Sequence, residues 1–224
     1  IIKFNPKLVN SNRYITLLGD GSLGGKGRGL AFLSNFIENV YLKKLIPDLH
    51  VAIPKTAVIG MNEFDNFLEN NNLYDVIFED KEYNHVLEAF RTARLSEQLR
   101  NNLRKYLQVM TKPLAVRSSG LFEDSLNQPF AGVYSTYLLP NNHPDIERRL
   151  EDVENAIKLV FASIYSPESR AYFNAIDYMI EEEKMAVILQ EVIGNEHNGR
   201  YYPEISGVAQ SYNFYPFSYI QPED

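Results

Sequence analysis

A glycine-rich segment near the N-terminus restricts the fold of this chain more than any other feature. Residues 19–29 read Gly-Asp-Gly-Ser-Leu-Gly-Gly-Lys-Gly-Arg-Gly, directly after an apolar run at residues 14–18. The apolar residues that follow are spaced three and four apart, as on one face of a helix: Leu30, Leu33, Ile37, Val40 and Tyr41. The pattern predicts a strand, a glycine loop and a helix N-terminus. Backbone N–H groups and the helix dipole make such an N-terminus suitable for an anion, and Lys26 adds a positive charge.

Three glycine-rich loops of known function can be compared with this segment. A P-loop is excluded, because Asp20 stands where its first glycine is required and Gly27 follows Lys26 in place of Ser or Thr. The dinucleotide fingerprint fits residues 19–24 but needs an acidic residue at the end of a second strand; residues 40–48 predict a helix and then contain Pro47. The kinase loop lacks its V-A-I-K strand and H-R-D segment. A glycine turn without a ligand stays an alternative.

A second segment carries groups that suit phosphate. Arg117, Ser118 and Ser119 stand at the end of an apolar run at residues 114–116. Arginine donates paired hydrogen bonds from a planar, permanently charged fork, and glycine lets backbone N–H groups approach a phosphate. A strand, a turn and a second strand with an incidental arginine would fit the same residues. The segment continues with two carboxylates, a glycine and a threonine: Glu123, Asp124, Gly132 and Thr136.

The composition excludes several classes of protein. The 224 residues are 45% hydrophobic and 23% charged, which is typical of a soluble globular protein. Zero cysteines exclude disulfides and thiolate zinc sites. A net charge of −7 argues against nucleic acid as a partner, and no apolar run approaches the length of a membrane span. We expect a cytoplasmic protein, and the start at Ile1 suggests a piece of a longer chain.

Five pieces in this order resemble the N-terminal ATP-binding domain of the pyruvate phosphate dikinase and phosphoenolpyruvate synthase family. They are residues 24–27 (Gly-Gly-Lys-Gly), 116–119 (Val-Arg-Ser-Ser) with Glu123 and Asp124, 130–132 (Phe-Ala-Gly) with Thr136, 186–192 (Ala-Val-Ile-Leu-Gln-Glu-Val) and 205–211 (Ile-Ser-Gly-Val-Ala-Gln-Ser). The resemblance implies an α+β, ATP-grasp-like fold with two lobes of mixed sheet and flanking helices. We place the first lobe at residues 1–112 and the second, truncated lobe at 113–224.

The resemblance also implies roles for residues and ligands. ATP with Mg²⁺ would lie between the lobes, with Lys26 and Arg117 as the catalytic cations on its phosphates. Further nucleotide contacts are implied for Gly132 through its backbone, Thr136 on a phosphate, Gln190 beside the purine and Ser118 as an additional contact. For Glu123 and Asp124 we favour orientation of Arg117 and capping of the next turn over metal binding. The acidic surface does not prevent ATP binding, because a cation at 4 Å contributes about 4 kcal/mol at an effective dielectric near 20.

Other partners implied by the resemblance belong to domains outside this sequence. In the family a histidine on a swivelling domain carries phosphate to pyruvate. His50, His85, His143 and His197 lack the family's glycine- and threonine-rich setting, and we interpret them as surface or core residues. The family's Mg²⁺ ligands lie beyond the 205–211 segment, so we expect this piece to bind nucleotide without turnover. A related dikinase with an antibiotic or glucan acceptor, or a nucleotide-sensing module, stays an alternative.

Periodicity and turn residues predict the remaining elements. Helices are expected at residues 61–70, at 96–110 with Ser96 as N-cap, from Asp145 to about 164, and from 168 to about 179. Residues 51–60 predict a strand pair broken by Pro54, with one part at a sheet edge. We interpret residues 181–184 as a solvated charged turn and residues 195–202 as an enlarged hairpin; a segment that covers the nucleotide or contacts a neighbouring domain stays an alternative for residues 195–202.

Overall fold

The structure is a computed structural model. It describes residues 1–4, 15–39, 48–78, 82–121, 123, 132–176, 178–208 and 212. The helices are α1 (Gly24–Asn39), α2 (Met61–Asn70), α3 (Tyr74–Phe78), α4 (Tyr83–Thr92), α5 (Glu97–Val109), α6 (Ile146–Ala162) and α7 (Pro167–Ala175), with 3₁₀ turns at Ser163–Tyr165 and Ile180–Glu182. The strands are β1 (Ile2–Lys3), β2 (Ile15–Gly19), β3 (Thr56–Ile59), β4 (Leu114–Gly120), β5 (Thr136–Leu139), β6 (Met185–Glu191), β7 (Asn195–His197) and β8 (Arg200–Tyr202).

Six strands form one mixed sheet, in the order β1-β2-β3-β6-β4-β5. The pairs β1–β2 and β2–β3 are parallel, and the pairs β3–β6, β6–β4 and β4–β5 are antiparallel. Strand β6 therefore lies between β3 and β4, and every residue of β6 is buried. The α+β class with a mixed sheet and flanking helices is confirmed.

The two faces of the sheet are covered unequally. On one face a large core joins α2, α4, α5 and α6 to the sheet, with Phe64, Phe90, Leu103 and Phe161 at 2% exposure or less. The opposite face packs a smaller group that includes Val58 and Ile188 against α1. Side chains alternate along a strand. Each strand residue can therefore be assigned either to the face covered by α2, α4, α5 and α6 or to the face covered by α1.

Local sequence explains where the predicted helices begin. Ser96 Oγ accepts from Leu99 N–H over 3.1 Å, and Asp145 accepts from Glu147 N–H over 2.9 Å, so both predicted N-caps are confirmed. The predicted helix at 61–70 is confirmed as α2. The helix predicted from 168 is shorter than expected, because α7 ends at Ala175.

Three other predictions were wrong in detail. Helix α1 starts at Gly24 and includes the second half of the glycine segment, and Leu33, expected on its buried face, is 46% exposed. Residues 51–55 form no strand, and β3 lies inside the sheet, not at its edge. The charged turn at 181–184 is not solvated throughout, since Glu183 is 2% exposed.

The chain divides into two units, residues 1–192 and 193–224. The second unit contains the hairpin β7–β8, with Asn198 and Gly199 at its turn (φ 53° and 77°), as the sequence predicted for residues 195–202. The predicted lobe boundary at residues 112 and 113 lies between α5 and β4, and the division into two lobes stays a prediction. None of the helices in the described ranges is long and apolar enough to cross a membrane.

Candidate functional site

The start of α1 is fixed to the end of β4 through Ser119. The Gly27 N–H donates to Ser119 Oγ over 2.9 Å, and the same hydroxyl donates to the Leu23 carbonyl over 2.7 Å. Gly24 makes this approach possible: its φ is 72°, and a Cβ atom there would lie 1.8 Å from the Ser119 carbonyl oxygen. The two segments that the sequence singled out are therefore in direct contact.

Among the described residues, the Arg117 side chain is held by a neighbouring strand. Its Nη1 donates to Gln190 Oε1 over 2.9 Å, and Gln190 Nε2 donates to Thr56 Oγ1 over 3.2 Å. Thr56 in turn donates to the Pro54 carbonyl. This chain of hydrogen bonds crosses β4, β6 and β3, and it leaves the Arg117 side chain half-buried at the surface of the sheet.

Three of the predicted side chains, Arg117, Thr136 and Gln190, lie on the same face of the sheet as α1. Thr56 pairs with Gln190, and Arg117 pairs with Thr136 in the ladders, and paired residues share a face. Arg117 and Ser119 are two residues apart on β4, so they also share it. Lys26 belongs to α1, which packs on that face. Thr136 is exposed and Gln190 is 8% exposed.

Ser118 has a different position from the other predicted residues. Its neighbours on β4, Arg117 and Ser119, face α1, so Ser118 faces the opposite side. Its hydroxyl is 2% exposed and donates to Glu123 Oε1 over 2.7 Å. The predicted contact between Ser118 and a phosphate stays a prediction.

Glu123 is the buried carboxylate of the site. It is 4% exposed, accepts the Ser118 hydroxyl at Oε1 and the Gly120 N–H at Oε2 over 2.8 Å, and forms an ion pair with Lys26. The expectation that it caps the turn after β4 agrees with the Gly120 contact. The expectation that it orients Arg117 was wrong, because its cationic contact in the described part of the chain is Lys26.

The remaining predicted residues lie near β5 or outside the described ranges. Gly132 is exposed and has a φ of 75°, a conformation that favours glycine. It borders a cleft of about 440 Å³ together with Tyr83, Thr136 and Glu168. Asp124 and the Phe130–Ala131 pair are outside the described residues.

Glu183 is a buried group that the sequence analysis missed. Its Oε1 accepts the Leu121 N–H over 3.0 Å, at the turn that leads from β4 to Glu123. Burial, followed by the charge of Glu183, raises the pKa of Tyr134. A Cβ atom at Gly120 would lie 2.3 Å from the Glu183 carboxylate, so a side chain there would displace Glu183. A charged run gives no sequence signal that one of its members folds inward.

Metal ligands do not cluster in this part of the protein. Among the described residues, no group of three or more His, Asp or Glu side chains could hold a metal ion. His50, His85 and His143 are exposed, while the His197 ring stacks on Tyr202 with a centroid distance of 4.3 Å.

Comparison with known proteins identifies the family of the chain. The model of the family "Pyruvate phosphate dikinase, AMP/ATP-binding domain" matches residues 20–222. An uncharacterized phosphotransferase, YvkC, of Bacillus subtilis (strain 168) is 26% identical over 149 residues, which are 66% of this chain. The chain spans 17% of the length of that relative. The chain belongs to the family of the AMP/ATP-binding domain of pyruvate phosphate dikinase.

Proposed function

We propose that this domain binds ATP on the part of the sheet beside the start of α1, with the phosphates between Lys26 and Arg117. The observation that carries the proposal is the shared face of Arg117, Thr136 and Gln190 next to the N-terminus of α1. The anchor between Gly27 and Ser119 fixes the distance between the two cation-bearing elements. Membership of an AMP/ATP-binding family supports a nucleotide as the ligand, and the positive charges of Lys26 and Arg117 suit its phosphates.

The electrostatics of these two cations suit a triphosphate. Lys26 is 25% exposed and Arg117 is half-buried, so neither cation is fully screened by water. At an effective dielectric near 20, a unit charge at 4 Å contributes about 4 kcal/mol. The net charge of −7 is spread over the whole chain, and its distant members are screened beyond about 8 Å at physiological salt. Local attraction therefore outweighs the repulsion from distant charges, although Glu123, which pairs with Lys26, reduces it.

The other predicted residues receive narrower roles in this proposal. Thr136, opposite Arg117, offers an exposed hydroxyl to a phosphate, and Gly132 offers backbone N–H where a side chain would interfere. Gln190 holds Arg117 in place and lies beside the purine. Ser118 acts on the nucleotide indirectly, because its hydroxyl fixes Glu123. These assignments depend on the shared face of Arg117, Thr136 and Gln190, whereas Ser118 lies on the opposite face of the sheet.

The chemistry we propose is phosphoryl transfer of the dikinase type within an ATP-grasp-like fold. Such transfer depends mainly on positioning and on charge stabilisation. Lys26 and Arg117 would bind and orient the phosphates and offset the charge that develops on them. The proposal includes Mg²⁺ as the companion of the nucleotide but assigns it no ligand among the described residues. A histidine on a separate swivelling domain would accept the phosphate and pass it to pyruvate.

Removal of the Arg117 guanidinium tests the proposed site. Titration calorimetry with Mg·ATP should show binding to the wild-type protein and a loss of about 1.5–3 kcal/mol in Arg117→Ala, the range for a charged hydrogen bond. Arg148→Ala is the matched control, because Arg148 is exposed and pairs with Glu151 on α6; its affinity should match the wild type. Equal affinities for Arg117→Ala and wild type would remove Arg117 from the site, and binding of NAD instead of ATP would refute the function.

A further inference from the structure

The ion pair between Lys26 and Glu123 raises a question for any anionic ligand of this site. Lys26 is the cation that the proposed function places on phosphate, yet its ammonium contacts a carboxylate. A phosphate and a carboxylate compete for the same ammonium group. The position of Glu123 therefore influences how strongly the site attracts a nucleotide.

Glu123 has support that does not depend on Lys26. Oε1 accepts the Ser118 hydroxyl over 2.7 Å, and Oε2 accepts the Gly120 N–H over 2.8 Å. Hydrogen bonds to an ionised acceptor are stronger than those between neutral groups. Both donors belong to β4, so the carboxylate stays bonded to the strand when the ammonium moves away.

Lys26 differs from Glu123 in its freedom to move. Its side chain is 25% exposed, whereas that of Glu123 is 4% exposed. A lysine carries three rotatable donors on a flexible four-carbon stem. The ammonium can therefore turn from Glu123 toward the open face of the sheet without a change in the backbone.

We propose that Glu123 is an internal anion that holds Lys26 in the nucleotide-free protein, and that the phosphates of a nucleoside triphosphate take its place at the Lys26 ammonium. This inference rests on the proposed function. Glu123 is a positioning residue, because it acts through Lys26 and does not contact the nucleotide. The carboxylate lowers nucleotide affinity in two ways: it competes for the ammonium, and its charge repels the approaching phosphates.

The charge of the nucleotide gives the proposal a quantitative signature. Repulsion from Glu123 depends on the negative charge that a ligand brings to Lys26, so its removal should favour the triphosphate and leave the affinity for adenosine unchanged. If Glu123 were needed mainly for folding of the turn, its substitution would weaken the binding of all ligands, with no relation to their charge. A ligand to the nucleotide's metal ion would weaken ATP binding when neutralised.

Glu123→Gln tests the proposal in the full chain, because glutamine keeps the shape and an acceptor for Gly120 N–H. Titration with Mg·ATP, Mg·ADP, AMP and adenosine should show an ATP dissociation constant about tenfold lower than in the wild type, equivalent to about 1.4 kcal/mol. The gain should be larger for Mg·ATP than for Mg·ADP, whose net charge is smaller, and absent for neutral adenosine; AMP, which lacks the β- and γ-phosphates, should also gain less than Mg·ATP. Glu154→Gln is the matched control, since Glu154 pairs with Arg100 over 2.6 Å on the other side of the sheet; its affinities should equal those of the wild type.

The outcomes distinguish a failure of this inference from a failure of the proposed function on which it rests. Absence of ATP binding in wild type would refute the proposed function. ATP binding that Arg117→Ala weakens, with equal or lower affinity in Glu123→Gln, would overturn the inference alone. If Glu123→Gln does not fold, the Glu123 ¹³Cδ resonance of the wild-type protein replaces it. That resonance should shift on addition of ATP and stay in place with adenosine; an unmoved resonance at saturating ATP would overturn the proposal.

Discussion

At the scale of single residues, Gly24 determines whether α1 can approach β4. Its φ of 72° and the 1.8 Å distance from an added Cβ to the Ser119 carbonyl oxygen leave no room for a side chain. Gly24→Ala should lower the free energy of unfolding by about 1–2 kcal/mol from backbone strain alone, with a further loss from the steric conflict. Urea unfolding followed by circular dichroism measures the change.

Gly29 provides the control within the same helix. An added Cβ at Gly29 meets no atom within 4 Å. Gly29→Ala should therefore stabilise α1 by about 0.5–1 kcal/mol, because alanine loses less conformational freedom in a helix. Equal effects of the two substitutions would contradict the role assigned to Gly24.

The sequence singled out Lys26, Arg117 and Glu123 as candidates, but not the contacts that Glu123 and Glu183 make. Lys26 and Arg117 stand beside glycine and hydroxyl residues in short segments, and the sequence alone marks such segments as suited to phosphate. Glu123 and Glu183 acquire their roles from burial, which depends on how the turn after β4 folds. Glu123 pairs with Lys26, which is far from it in the sequence. Glu183 accepts from the backbone of Leu121, a residue that no sequence motif marks.

At the scale of elements, Ser96 joins the start of α5 to α2. Its hydroxyl accepts from Leu99 N–H and donates to Glu63 Oε2 over 2.9 Å. Ser96→Ala should cost about 1 kcal/mol as a lost N-cap, with an additional cost at the buried Glu63. Ser96→Thr keeps both hydrogen bonds and serves as the control in thermal unfolding. A melting temperature unchanged in Ser96→Ala would show that neither bond stabilises the fold.

Strand β6 should contribute far more to stability than strand β5. Leu189 on β6 is 0% exposed, whereas Leu138 on β5 is 71% exposed. Leu189→Ala should cost about 2–5 kcal/mol through lost contacts and a cavity, while Leu138→Ala should change stability by less than about 0.5 kcal/mol. Guanidinium unfolding of both variants measures the difference. A comparable loss in the two variants would contradict the central position of β6.

Helix α5 was easier to predict from the sequence than the position of β3 in the sheet, for a physical reason. Helix α5 is predicted by its own N-cap and by a repeating apolar face, and both are local properties of the sequence. Strand β3 depends on partners more than a hundred residues away: Thr56 pairs with Gln190. Pro54 suggested an edge strand, yet the ladder begins two residues later, where the missing N–H of proline has no effect. Sheet order therefore required the structure.

At the scale of the whole molecule, buried tyrosines predict how stability depends on alkaline pH. Burial is the main cause that raises the pKa of Tyr83 and of Tyr178 to about 12, and it raises the pKa of Tyr106 and Tyr165 further. A folded-state pKa above the unfolded value means that the fold favours the neutral phenol. The stabilisation is complete below the ordinary pKa of 10.0 and is lost as the pH rises toward 12.

Urea unfolding at a series of pH values should therefore give a constant midpoint up to about pH 9.5 and a falling midpoint above it. The chain has 15 tyrosines and no tryptophan, so tyrosinate absorbance reports their ionisation without interference. Loss of structure should accompany the late part of that titration. Complete ionisation near the ordinary tyrosine pKa in a protein that stays folded would contradict the burial of these rings.

The position of β6 has a consequence for biosynthesis. Strands β2 and β3 leave the ribosome early and β4 and β5 follow, but β6, encoded last among the six, lies between the two groups. Until residue 191 has emerged, the early strands and the later pair each present an unsatisfied edge, and such edges promote aggregation. Closure of the sheet also requires contacts between residues far apart in sequence, which slows folding. The nascent chain therefore completes its sheet only when β6 inserts between β3 and β4, and chaperone binding during synthesis would protect the gap that β6 later fills.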